Sequence, residues 1–246
     1  MTLDAAAQPG GDGAPKVAIV TGASRGIGAG VVAGFRAAGY AVVGTALSMP
    51  ASDDAQYLTV EGDITEPATA DEVLEKALDG FGRIDTLINN AGIYIGKAFT
   101  DYTVEDFRSI TSVNLAGFFH ITQRAIRQMA AQRSGHVVNV STSLVDHADS
   151  SRPSALAVLT KGGLASVARS LAIEYASLGI RVNAVSLGVI ETPMNDPASY
   201  ASLARVHPLG RMGRIDDVVA GILYLERDTF VTGEILHIDG GQSAGH

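Results

Sequence analysis

The 246-residue chain contains no cysteine. Disulfide bridges, thiolate metal sites and cysteine nucleophiles are thereby excluded, and the composition fits a reducing compartment, the cytoplasm. Positive charge is scarce: 18 lysines and arginines stand against 26 acidic residues, a formal charge of −8. Such a chain has no general attraction for polyphosphate or an anionic lipid surface, so neither nucleic acid nor membrane is an expected partner. Six histidines, at 120, 136, 147, 207, 237 and 246, show no metal-ligand spacing, and no metal is expected. Residues 1–15 contain Gly10, Gly11 and Gly13 but no basic residue and no apolar run before Lys16. They read as a flexible tail, neither a signal peptide nor a spanning segment.

What is present is apolar material: 46% of residues are hydrophobic and 18% charged, enough for a core buried on both faces of a sheet. Residues 16–246 are about the length of one α/β domain. Apolar runs at 17–21, 41–45, 57–61, 86–89, 136–141, 181–186 and 234–238 read as strands. Helical stretches lie at about 68–81, 104–133, 153–178 and 216–226, besides one that follows the first strand and stops at Gly39. Strands alternating with helices predict a doubly wound, mostly parallel sheet of Rossmann type in a single α/β domain. Residues 192–208 hold three prolines and lack periodicity, and they lie where loops line the ligand crevice of such sheets. They are the expected substrate lid, with Met194, Tyr200 and Leu203 lining a modest, partly apolar cavity.

The first strand runs into T-G-A-S-R-G-I-G at 21–28. Glycine there permits a tight turn and close backbone approach to a pyrophosphate, while the helix behind offers unpaired N–H groups. The plain alternative is a tight strand-to-helix connection. Asp63 follows in G-D-I-T, then N-N-A-G at 89–92, Asn114 in S-V-N-L-A-G, Lys161, and I-E-T at 190–192. Asp63 reads equally as an Asx turn, the paired asparagines as turn formers, and Lys161 as a solvated lysine. Asn114, by contrast, is intrinsically unfavourable inside a helix, which points to a role.

Together these segments resemble the short-chain dehydrogenase/reductase family, over nearly all of residues 16–241. The resemblance implies an oxidoreductase that binds a pyridine dinucleotide. Its cofactor site would comprise Gly22, Ser24, Arg25, Gly26, Ile27, Gly28, Asp63, Ile64, Asn90, Ala91, Gly92, Lys161, Gly188, Ile190 and Thr192. Asp63 would meet the adenine amino group and Lys161 the nicotinamide ribose; Ile190 and Thr192 would lie near the carboxamide. NAD recognition needs an acidic side chain about 20 residues beyond the glycine turn. The second strand ends in Thr45, Ala46, Leu47 and Ser48, with no carboxylate until Asp53, whereas Arg25 is placed to pair with a 2′-phosphate. NADP is therefore the expected cofactor, with NAD as the alternative. The family also implies a homo-oligomer, a dimer or tetramer; Gly162 and Gly163, inside a helix, fit a closely packed face.

Reducing a carbonyl requires hydride at carbon and a proton at oxygen. The family supplies these with Asn, Ser, Tyr and Lys. Asn114 matches the asparagine that holds a water chain to the lysine, Lys161 the lysine, and Thr142 the serine, with Ser141 and Ser143 beside it. The tyrosine is absent: A-V-L-T-K places Ala157 four residues before Lys161. General acid catalysis contributes roughly 10²–10⁴-fold, so ordinary ketone reduction without a substitute would be slow. Candidate substitutes are a water held by Lys161 and Asn114, Tyr94, His147 or Tyr200. A second departure is Leu187, where the family has proline before Gly188, and this is expected to loosen the following turn. The main reading is an NAD(P)-dependent oxidoreductase acting on a small carbonyl or alcohol with an atypical proton donor. The alternative is a catalytically impaired NADP-binding sensor or structural partner subunit; weaker is a non-redox enzyme retaining the cofactor as scaffold.

Overall fold

A computed structural model describes residues 13–245, so most of the tail expected at residues 1–15 lies outside the described residues. β1 (Val17–Thr21), all five residues buried, feeds α1 (Gly26–Ala37) through the glycine turn. There follow β2 (Ala41–Ala46), β3 (Tyr57–Glu61), α2 (Pro67–Phe81) and β4 (Thr86–Asn89). Next come α3 (Val104–Thr111), a π-helical turn at Ser112–Gly117, α4 (Phe118–Gln132) and β5 (Gly135–Thr142). The chain ends with α5 (Ala155–Tyr175), β6 (Ile180–Leu187), α6 (Tyr200–Ala204), α7 (Ile215–Arg227) and β7 (Ile235–Ile238).

The seven strands form one sheet in the order β3-β2-β1-β4-β5-β6-β7, every pairing parallel. Strand order reverses between β1 and β4, which opens a crevice above their carboxyl ends. Alternate side chains of each strand enter one of two cores. Ile19, Val43, Leu87 and Val137 pack with Ile121 and Met129 of α4; Val20, Val42, Ile88 and Val138 pack with Phe35 of α1 and Ile222 of α7. This double burial explains why the strands read as continuous apolar runs. The α5 segment Ala155–Leu178 has a mean hydropathy of 1.3 and could span a membrane by length alone. Its Ala168 and Ala172 are instead buried in the core between α4 and the sheet.

Several sequence boundaries shift. The sheet is wholly parallel, not mostly so. The helix expected at 104–133 is one rod containing a π-helical turn, and Arg133 closes it with a left-handed φ of 54°. The helix expected from 153 begins at Ala155, after Pro153 and Ser154, and 176–178 is a tighter 3₁₀ turn. Leu187 does not loosen the turn: it is buried and pairs with Thr142 and Ile238, and Gly188 N–H donates to Ile238 O (3.1 Å). A proline there would lack the N–H; leucine lets β6 run its full length.

At the amino ends of the strands, opposite the crevice, Glu226 at the end of α7 is buried. It accepts hydrogen bonds from Tyr40 Oη (2.8 Å), Thr86 Oγ1 (3.0 Å) and His136 Nδ1 (2.6 Å). Asn183 Nδ2 donates to His136 Nε2 (3.0 Å), which fixes the imidazole as the neutral Nδ1–H tautomer. Burial lowers the His136 pKa accordingly. Burial also works against the Glu226 carboxylate, but its bonds from His136 and Tyr40 hold its pKa below the ordinary value. Removing the carboxylate leaves three buried donors without their acceptor, at about 1–3 kcal/mol each. Glu226→Ala should therefore lower the melting midpoint by about 10 °C in a chain of this size; a change under about 2 °C in calorimetry would show the network to be inessential.

Candidate active site

The crevice is built by loops at the carboxyl ends of β1, β4, β5 and β6. In the first, Gly22 and Gly26 have φ of +65° and +56°, left-handed values that favour glycine. A Cβ on Gly28 would stand 2.1 Å from Gly22 O, so α1 can start this close only without a side chain there. Asn90 braces the turn: its Nδ2 donates to Thr21 O (2.9 Å) and Gly22 O (3.2 Å). The N–H groups of Asn90 and Ala91 both reach Thr21 Oγ1, at 3.0 and 2.9 Å. Ser24 and Arg25 are exposed, and their side chains make no hydrogen bond among the described residues. Ile27 packs against the core between α1 and the sheet.

Of the carboxylates that follow β2 among the described residues, Asp53 is exposed, whereas Asp54, Glu61 and Asp63 each have a partner. At the end of β2, Thr45 Oγ1 is buried without a partner and Leu47 is 72% exposed. Glu61 is occupied by Met49 N–H (2.9 Å) and Asp54 by Arg36 (2.9 Å). Asp63 forms the Asx turn, its Oδ1 accepting Thr65 N–H at 2.9 Å, so only its second oxygen is left for a ligand. Ile64 lies beneath, against Gly117, whose missing Cβ would meet it at 2.8 Å.

The centre of the site is packed around another missing side chain. A Cβ on Gly92 would lie 2.8 Å from Lys161 Nζ and 3.1 Å from Asn114 Oδ1. Lys161 Nζ donates to Val140 O (2.9 Å), one acceptor for three donors. Burial lowers its pKa from 10.5 to about 8. Asn114, in the π-helical turn, accepts Ile93 N–H (2.9 Å) and donates to Ile93 O (3.1 Å) and Thr160 Oγ1 (3.0 Å). Both its N–H groups are therefore committed, and a water chain to Lys161 would have only the second lone pair of Oδ1 to start from.

The three adjacent hydroxyls separate by their partners. Ser141 Oγ donates to Lys161 O (3.0 Å), and Ser143 Oγ donates to Gln242 Oε1 (2.9 Å). Thr142 Oγ1 takes only a long bond from Leu144 N–H (3.4 Å), so it remains the available donor. On the fourth loop, a Cβ on Gly188 would meet His207 Nε2 at 2.7 Å. His207, which sequence reasoning missed among scattered histidines, is buried and accepts Val189 N–H at Nε2 (2.9 Å). Ile190 is buried and bridges to Gly213, and Thr192 lies 3.7 Å from where a Gly26 Cβ would be. The last loop thus reaches over to the glycine turn. The expected lid at 192–208 contains a 3₁₀ turn at Pro197–Ser199 and α6, with Met194 exposed and Tyr200 and Leu203 half-buried.

Ala157 is buried with Leu156 and Ile110, against Ile93, Ile95 and Tyr102. Of the expected donors, His147 lies beyond β5 and Tyr200 opens α6, whereas Tyr94 Oη is 2.8 Å from Ser154 Oγ at the start of α5. Ser154 was not among the expected residues; a serine just before a helix was the available signal. A Cβ added at Gly162 or Gly163 would meet other parts of the chain no closer than 3.5 Å, so close packing within the chain does not require glycine there. No cluster of three or more metal-ligating side chains occurs among the described residues.

A glycine cradle at a helix start, an ammonium with two unused donors and a buried, unpaired Thr45 hydroxyl fit an extended dinucleotide lying across the crest of the sheet. The fold and this crest define an α/β nucleotide-dependent oxidoreductase. The sequence profile described as enoyl-(acyl carrier protein) reductase matches residues 22–243. The 3-oxoacyl-[acyl-carrier-protein] reductase FabG of Escherichia coli K12 is 35% identical over 238 residues, covering 92% of this chain and 96% of that protein. The solved structure of ElxO with NADP bound has a TM-score of 0.87 at 28% identity, covering 94% of this chain and all (100%) of that one. The 3-ketoacyl-(acyl-carrier-protein) reductase of Brucella melitensis complexed with NADH has a TM-score of 0.83 at 30% identity, covering 94% and 99%. The chain belongs to the short-chain dehydrogenase/reductase family.

The Lys161 shift has a measurable sign. Between about pH 8 and 10.5 the unfolded chain holds a proton on this lysine that the folded chain has lost, so this group's contribution to stability rises with pH there. Urea unfolding at pH 7.5 and 9.5 should show the native chain gaining stability relative to Lys161→Met as the pH rises. An equal difference at both pH values would mean that the ammonium is solvated.

Proposed function

We propose that this protein is an NADP(H)-dependent oxidoreductase that transfers hydride between the nicotinamide and a small carbonyl or alcohol substrate, using a proton donor other than residue 157. The observation that carries the reading is the crest itself. Gly92 is kept bare so that Lys161 Nζ can stand beside Asn114, while Ser24, Arg25 and Thr142 keep their side chains open to the crevice. A protein that had abandoned dinucleotides would have no need of a buried lysine, which burial penalises.

When bound, the nicotinamide supplies or receives the hydride at the carbonyl carbon. The backbone N–H groups after Gly22, Gly26 and Gly28 would take the pyrophosphate, and Asn90, Ala91 and Gly92 leave the backbone flat beneath the adenosine. Asp63 and Ile64 would border the adenine; Gly188, Ile190 and Thr192 would border the nicotinamide. Lys161 would give its two unused N–H groups to ribose hydroxyls, and Thr142 would orient the substrate oxygen. Arg25, with no acidic side chain at the end of β2, favours the 2′-phosphate of NADP over the bare hydroxyl of NAD. The relatives' names place 3-oxoacyl carbonyls among the substrates to test.

Residues 16–246 would act as one catalytic unit in the cytoplasm. The assembly would be a homo-oligomer, dimer or tetramer, since α3, α4 and α5 leave Phe107, Phe119 and Ile173 exposed at 47, 53 and 81%. Ala157 favours a second reading, an NADP-binding partner subunit without turnover. Fluorescence titration should give tighter binding of NADPH than of NADH, and Arg25→Ala should weaken NADPH by about tenfold while sparing NADH. Reduction of 3-oxoacyl and simple ketone substrates should be detectable in the native chain and fall on the order of a hundredfold in Lys161→Ala. NADPH binding without turnover, with activity gained in Ala157→Tyr, would favour the partner subunit.

A further inference from the structure

We propose that the hydroxyl of Tyr94, held in place by Ser154, donates the proton that the helix no longer supplies at Ala157. This rests on the oxidoreductase reading above. Tyr94 is held between two pinned neighbours. Ile93 is clamped at both N–H and C=O by Asn114 (2.9 and 3.1 Å), and Ile95 O accepts a bond from Tyr102 Oη (2.8 Å). The ring of Tyr94 lies over Gly96, where a Cβ would stand 2.7 Å from its oxygen and 3.1 Å from its ring carbons. Only glycine at 96 permits this placement.

The hydroxyl reaches α5 on the face that carries Lys161. Ser154, Ala157 and Lys161 are spaced i, i+3 and i+7, one stripe of the helix. Ile93 and Ile95, on either side of Tyr94, pack in the same cluster as Ala157. The phenol is therefore held against α5 about one turn before the emptied position. It is 42% exposed, open enough to meet a substrate, whereas Ser154 is buried.

The hydrogen-bond directions are fixed by counting protons. Ser154 Oγ donates its only proton to Arg152 O (2.7 Å), so the 2.8 Å contact must be donated by Tyr94. When the carbonyl carbon receives hydride from the reduced nicotinamide, charge accumulates on the substrate oxygen. The Tyr94 O–H then turns from Ser154 Oγ to that oxygen, its bond breaks, its proton forms the O–H of the product alcohol, and a phenolate remains. Ser154 can turn its O–H from Arg152 O to that phenolate and hold it until water returns a proton.

Two measurements test this. NADPH-dependent reduction of ethyl acetoacetate should lose 10²–10⁴-fold in kcat in Tyr94→Phe, roughly the range for a lost general acid. NADPH affinity should stay within about twofold, because the ring remains over Gly96. Ser154→Ala should fall between native and Tyr94→Phe, and Ser154→Thr should restore the rate. The second readout needs no turnover. In protein labelled with 3-fluorotyrosine, the resonance lost in Tyr94→Phe should shift when ethyl acetoacetate is added to protein saturated with NADP⁺, a mixture that cannot react. Native turnover undiminished in Tyr94→Phe, or a Tyr94 resonance that the ketone leaves in place, overturns the assignment. NADPH bound with no turnover in the native chain overturns the oxidoreductase reading, and the proton step with it.

Discussion

Three segments that belong to different parts of the chain meet on one side chain, that of Asn114. Its carboxamide takes the N–H of Ile93 and returns bonds to Ile93 O and Thr160 Oγ1, tying the loop after β4 to α5. An asparagine in an ordinary helix would compete with its own backbone. Here the π-helical turn at Ser112–Gly117 supplies an extra residue, so the side chain faces the crest while the rod continues from α3 to α4. Everything at the centre of the site inherits its position from that clamp. Gly92 precedes the clamped residue and Tyr94 follows it, and Lys161 follows the threonine that Asn114 holds. Breaking it would release both walls of the crevice together.

The glycine turn, the alternating strands and the run from N-N-A-G to Lys161 were legible because each reflects a rule close to the backbone. Gly22 and Gly26 adopt left-handed φ values, and Gly28 and Gly92 lie where a Cβ would strike an oxygen or an ammonium. The strands were legible because both their faces are buried. What escaped depends on contacts between distant residues. The spacing around Asn114 does not show that its helix contains a π-helical turn. Only partners decide among Ser141, Thr142 and Ser143, and the partners come from α5 and the chain's end. Leu187 looked like a weakness because proline fits the turn; the strand pairing it allows with Ile238 lies about 50 residues away in sequence.

Ala157 shows how a fold can lose a group without losing the geometry around it. The residue is closed in by Ile93, Ile95, Ile110 and Tyr102, so the emptied position is apolar and packed. No group at 157 lowers the charge cost of Lys161, which explains why burial alone governs its pKa. A phenol delivered from the loop, as proposed for Tyr94, would leave this packing intact.

Opposing electrostatic demands act on two walls of the crevice. Burial lowers the pKa of His207 as well, keeping the imidazole neutral so that Nε2 can accept Val189 N–H and fix the loop of Ile190 and Thr192. A second proton would turn that acceptor into a donor facing an N–H, and the loop would lose its anchor. Lys161 works in the other sense: its ammonium is a positive charge at the centre of the crest, and it loses that charge above about pH 8. A nearby anion would counteract that loss, much as Ala204, Leu203 and the Asp239 carboxylate partly offset the burial of His207. Protonating His207 and deprotonating Lys161 would thus disturb different walls of the same crevice, the first on acidification and the second above about pH 8.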